Sequence, residues 1–149
     1  MMTQNPQGLQ SPFPAFPAVL GSWTYRSFIN EPDISKEFNT LEFGRGELVI
    51  DQLAPGIFGG RLSFGDTYQF RLSGWADFTL PCTVRFQGIG DTKDSYGQIY
   101  DYTGFFVPMW SNGVSQRPAL VGSVVRTVPH SDGQAKAGVV SSWIAVKRD

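Results

Sequence analysis

Between Leu41 and Phe86 the chain switches from apolar to polar at nearly every second residue. Tyr68, Phe70 and Leu72 alternate with Gln69, Arg71 and Ser73, and Cys82, Val84 and Phe86 alternate with Thr83, Arg85 and Gln87. A period of two turns one face of an extended strand toward a core and the other toward water, whereas a helix needs a period near 3.6. Gly44-Arg45-Gly46, Ala54-Pro55-Gly56 and Gly65-Asp66 read as turns. They divide the region into strands at Asn39–Phe43, Glu47–Asp51, Ile57–Phe64 and Thr67–Gly74, and another strand, Ser22–Ile29, precedes them. Asn30-Glu31-Pro32-Asp33 carries a capping Asn and an early Pro, which predicts at most one short helix, near residues 31–38.

The C-terminal third has a different pattern. Strands are expected at about Gln98–Met109, Ala119–Val128 and Gly138–Lys147, and both faces of each are largely apolar. Strands of that kind are covered on both sides. The count is eight to nine consecutive strands with short connections, and no strand–helix alternation of the parallel α/β type. An antiparallel meander of this length removes its open edges by closing on itself. The predicted fold is therefore all-β, a closed antiparallel β-barrel over residues 21–149 behind a Pro-rich arm at residues 1–20 that contains Phe13 and Phe16. The apolar outer face of the last strands predicts a homodimer.

Charge and composition remove several function classes. With 12 Lys+Arg against 13 Asp+Glu the chain lacks the basic excess of a nucleic-acid binder. No apolar run approaches the roughly 18 residues of a membrane helix. A single Cys (Cys82) and a single His (His130) give no metal site and no disulfide framework. No cofactor is implied. The first twenty residues lack Lys and Arg and are broken by Pro, unlike a secretory signal, so the expected compartment is the cytoplasm.

Gly21-Ser22-Trp23 opens the first strand. This Gly-x-Trp resembles the start of the calycin superfamily of lipocalins, fatty-acid-binding proteins and avidins. The rhythm from Gly44-Arg45-Gly46-Glu47-Leu48 through Tyr68-Gln69-Phe70-Arg71-Leu72-Ser73-Gly74 looks most like an avidin-type meander and like small bacterial barrels of that shape. The resemblance covers residues 21–147 as an architecture. It implies a barrel that holds a small ligand. The tryptophans that line the avidin pocket have no counterparts in the later strands, so biotin binding is not implied. Gly74-Trp75-Ala76-Asp77-Phe78 and Thr103-Gly104-Phe105 are faintly similar to barrel-shaped polyketide cyclases.

Candidate ligand-binding residues are Tyr25, Tyr68, Tyr100, Tyr102, Trp110 and Arg126. Tyr96, Gln98, Tyr100 and Tyr102 share parity, and such a stripe offers flat apolar faces with a few orienting hydroxyls. Its alternative is an ordinary filled interior. Arg126 lies among Val124, Val125 and Val128, where a guanidinium needs a partner. Asp101 on the neighbouring strand is the expected one, and a cavity-facing Arg126 that holds an acidic or carbonyl ligand is the alternative. Trp23 is expected to plug one barrel end and hold the first strand against the last. His130, in Thr127-Val128-Pro129-His130-Ser131-Asp132, ends a strand at a barrel rim and reads as a solvated turn residue, with an acid–base role beside Asp132 as the alternative.

No catalytic motif is present. The leading functional expectation is a barrel that binds a small, largely apolar or aromatic molecule. A cyclase or isomerase that confines a flexible substrate, and a structural subunit with a filled barrel, are the alternatives.

Overall fold

A computed structural model describes residues 16–77, 82–107 and 112–148. Eight strands form one closed barrel: β1 (Gly21–Ile29), β2 (Glu42–Ala54), β3 (Ile57–Ser63), β4 (Gln69–Asp77), β5 (Thr83–Gly90), β6 (Ile99–Val107), β7 (Ala119–Arg126) and β8 (Val140–Lys147). Each strand pairs antiparallel with the next, and β8 returns to β1 through Trp23↔Lys147 to Ile29↔Ser141. No described helix is long and apolar enough to cross a membrane.

The alternation sorts side chains as expected. Leu48, Ile50, Phe58, Leu62, Phe70, Leu72, Val84 and Phe86 are buried in one cluster inside the barrel.

Three features differ from the sequence reading. The predicted helix over 31–38 is a turn followed by a single 3₁₀ turn at Phe38–Leu41, since four residues carry no apolar stripe for a longer helix to bury. Gly44-Arg45-Gly46 is not a turn either. It lies inside β2, whose 13 residues make it the longest strand, so the two strands expected there are one. The cause is steric: a Cβ on Gly46 would sit 3.1 Å from Phe64 Cδ1 and 2.1 Å from the Ser63 carbonyl, and one on Gly44 would sit 3.1 Å from Phe64 Cε1. These glycines clear room for an aromatic ring and do not reverse the chain. Last, the outer faces of β7 and β8 are not continuously apolar, because exposed Ser123 and Ser142 interrupt Val121, Val125, Val140 and Ile144. Val124 points inward and is buried.

The same clearing occurs across the barrel wall. Trp143 on β8 pairs with Gly122 on β7, which pairs with Gly104 on β6. The indole packs against Gly104, donates from Nε1 to the Ser123 carbonyl at 2.9 Å, and stacks on Tyr25 at 6.0 Å between centroids.

One end of the barrel is plugged. Trp23 is fully buried and donates from Nε1 to the Val19 carbonyl at 3.0 Å. Lys147 lies 5.0 Å over the Trp23 ring and donates through Nζ to the carbonyls of Ala18 and Leu20. Trp23 thus ties β1 to β8 as expected, with the segment before β1 folded over the plug. Phe13 and the Phe16 side chain lie outside the described residues.

Candidate functional site

The opposite end is hollow. A cavity of about 360 Å³ lies among the C-terminal half of β1, the start of β2, the β3–β4 connection, the starts of β4 and β6 and the end of β7. That volume is at the lower end of the usual range for small-molecule sites. Its inner wall is aromatic. Tyr102 stacks on Phe86 at 4.6 Å and meets Trp143 edge-on at 5.9 Å, while Phe70 and Tyr100 pack edge-to-face at 5.5 Å. Phe64, resting over the β2 glycines, closes one side against Tyr25 and Tyr68.

Alternation and strand register place these groups. Tyr100 and Tyr102 occupy inward positions of β6 and face Arg126 and Val124 across the β6–β7 ladder. Tyr25, one turn of the pleat above Trp23, projects from β1, and Tyr68 lies just before β4. Five of the six residues expected to bind ligand (Tyr25, Tyr68, Tyr100, Tyr102 and Arg126) line this cavity together. The sixth, Trp110, lies outside the described residues. Tyr96 is not part of the stripe. It sits in the turn before β6, 83% exposed, because β6 begins only at Ile99. Gln98 is buried and accepts from the Tyr68 hydroxyl at 2.8 Å.

The deep hydroxyls are held neutral. Burial pushes the Tyr25 phenol up to about 12, and burial together with the Tyr25 oxygen raises Tyr102 well above its ordinary value. At the floor of the cavity Tyr25, Tyr102 and Ser27 therefore act as hydrogen-bonding groups and not as acids near neutral pH.

The mouth has a different character. Arg126 does not pair with Asp101, which faces the other side of the sheet and accepts from Gln87 Nε2 at 2.9 Å. Strand parity is the reason: Tyr100, not Asp101, shares the inward face with Arg126. The guanidinium donates from Nε to the Tyr100 hydroxyl at 3.3 Å and from Nη1 to the Lys136 carbonyl at 3.1 Å. It lies over the rings of Phe43 and Tyr100, at 5.6 and 5.9 Å from their centroids.

His130 also belongs to the site, contrary to its reading as a solvated turn residue. The β7–β8 loop folds back as a small hairpin, with His130 bridged to Ala135, and this carries the imidazole over the cavity. Nε2 lies 3.2 Å from the Tyr100 hydroxyl and Nδ1 2.9 Å from Ser131 Oγ. Burial, and after it the Arg126 charge, lowers its pKa. The neutral ring can thus accept the Tyr100 proton while Arg126 donates to the same oxygen. Sequence reasoning missed His130, Phe43 and Phe64. The available signal for His130 was its position four residues after Arg126, but the hairpin that turns it inward was not legible.

Among the described residues, no cluster of three or more His, Cys, Asp or Glu gathers to hold a metal ion. No protein-family model, curated protein or solved structure matches the chain.

Proposed function

We infer that the protein binds a small, largely apolar molecule in the cavity at the open end of the barrel, with Tyr25, Tyr68, Tyr100, Tyr102 and Arg126 as contact residues. One observation carries this reading: a barrel packed solid at the Trp23 end keeps about 360 Å³ free at the other, walled by aromatic rings and topped by a few polar groups. Closed barrels of eight strands have room for one small ligand when the interior is not filled. A purely structural subunit with a filled barrel would not need such a void. The calycin-like Gly21-Ser22-Trp23 start and the closed eight-strand meander fit this reading by analogy of architecture. Native mass spectrometry of the purified protein is the test. A co-purified molecule of defined mass, lost when Val124→Trp fills the cavity, is the expected result. A ligand-free spectrum, together with no binding of hydrophobic probes by a folded protein, refutes the reading.

A second reading is favoured by the Tyr100 hydroxyl, which lies between an imidazole nitrogen at 3.2 Å and a guanidinium N–H at 3.3 Å. A barrel-type cyclase or isomerase would use an Arg126 N–H to polarise a carbonyl on a confined substrate, with Tyr100 and His130 as the proton-accepting pair beside it.

A further inference from the structure

We propose that the ligand of this cavity carries a carboxylate, held at the mouth by Arg126, with its flat apolar body against the aromatic wall. The proposal rests on the cavity reading above and adds the class of ligand. Its basis is how the chain treats its arginines. Three are partly buried: Arg26, Arg61 and Arg126. Arg26 has Glu42 at 2.9 Å, and Arg61 has both oxygens of Asp91, at 3.0 and 2.8 Å. Among the described residues Arg126 has no carboxylate. Its bonds go to a phenol and a backbone carbonyl, both uncharged, and Nη2 makes no hydrogen bond to any described residue. A half-buried guanidinium at the cavity mouth with a free, water-accessible N–H edge and no carboxylate is placed to take an anion from outside the chain.

The surroundings point the same way. No Asp or Glu lines the cavity. Two acids outside the lining are engaged elsewhere. Glu42 bridges Arg26 and Arg45, and Asp94 accepts from the Thr67 hydroxyl. The other ionisable groups facing the mouth are Arg45, His130 and the tyrosines. An anion entering there meets no negative side chain, whereas a cationic ligand would meet Arg126 and Arg45. The planar guanidinium fork, sandwiched near Phe43 and Tyr100, suits a planar carboxylate, and the Tyr68 and Tyr100 hydroxyls stand beside it. Below the head group the walls are the rings of Phe64, Phe70 and Tyr102, which suit an aromatic or otherwise compact body.

Isothermal titration with 1-naphthoate and with its uncharged isostere 1-naphthamide tests this directly. The wild type should bind both, and the carboxylate roughly ten- to a hundredfold more tightly, as expected for a charge-assisted hydrogen bond in a partly buried site. In Arg126→Met the preference should disappear while 1-naphthamide still binds, with circular dichroism confirming the fold. Equal binding of the two probes by the wild type, or a preference that survives in Arg126→Met, overturns the carboxylate assignment and leaves the cavity reading standing. Binding of neither probe overturns both. The wild-type comparison decides the matter even where Arg126→Met fails to fold.

Discussion

Gly104 offers the sharpest test of how the barrel interior is built. A Cβ added there would sit 2.7 Å from Trp143 Cζ2, 3.0 Å from Cη2 and 2.9 Å from the Val121 carbonyl oxygen. The Gly104 backbone itself is in an ordinary region, so Gly104→Ala would by itself stabilise by about 0.4–1 kcal/mol through the unfolded chain. Overpacking a tight core costs about 1–3 kcal/mol. The indole is also anchored through Nε1 to Ser123, so it cannot swing away freely. The net expectation is a loss of about 1–2 kcal/mol, a fall in melting temperature of roughly 2–8 °C for a domain of this size. In a Trp143→Phe background the outer ring atoms are gone and only the Val121 contact remains. Gly104→Ala should then cost less, the Val121 carbonyl clash remaining, with a coupling on the order of 1 kcal/mol in a double-mutant cycle. Denaturant melts followed by far-UV circular dichroism measure all four proteins. An equal cost in both backgrounds would refute the argument that Gly104 exists to receive the indole.

Three further outcomes follow from the same interior. Trp23→Ala should lose about 3–5 kcal/mol by emptying the plugged end, and a loss under 1 kcal/mol in urea titration would show that the plug is dispensable. Because the folded-state pKa values of Tyr25 and Tyr102 are raised, the native state holds protons that the unfolded chain releases above pH 10. Their contribution to stability is complete below pH 10 and is lost as pH rises through the folded-state values, about 12 for Tyr25, so phenolate absorbance should show both still protonated at pH 11 in the folded protein; ionisation of all five tyrosines at pH 11 with tertiary circular dichroism intact would contradict this. We propose that a second copy covers Val121, Val125 and Ile144, in which case light scattering gives about twice 16.5 kDa and Val125→Glu gives the monomer; a wild-type monomer at high micromolar concentration refutes the pairing.

Much of this protein is determined by its local sequence. Period-two alternation is a nearest-neighbour property, so the faces of Tyr68–Leu72 and Cys82–Phe86 were readable without any partner strand, and with them the all-β class and the closed meander. The inward stripe of Tyr100 and Tyr102 followed from the same rule. Glycine misled because its local meaning is ambiguous. Gly44-Arg45-Gly46 has the composition of a turn, and the Ser63 carbonyl and the Phe64 ring, brought over it by the end of β3 and the β3–β4 connection, make it a strand interior. Arg126 on an apolar strand calls for a partner, but which residue shares its face depends on the β6–β7 register, which sets Tyr100 opposite it and sends Asp101 to Gln87. His130 joined the site through a hairpin fold-back that no short-range pattern encodes. Alternation states which face a residue takes. Which residues meet on that face, and whether space remains between them, depends on register and closure, and these are set by contacts between strands far apart in the chain.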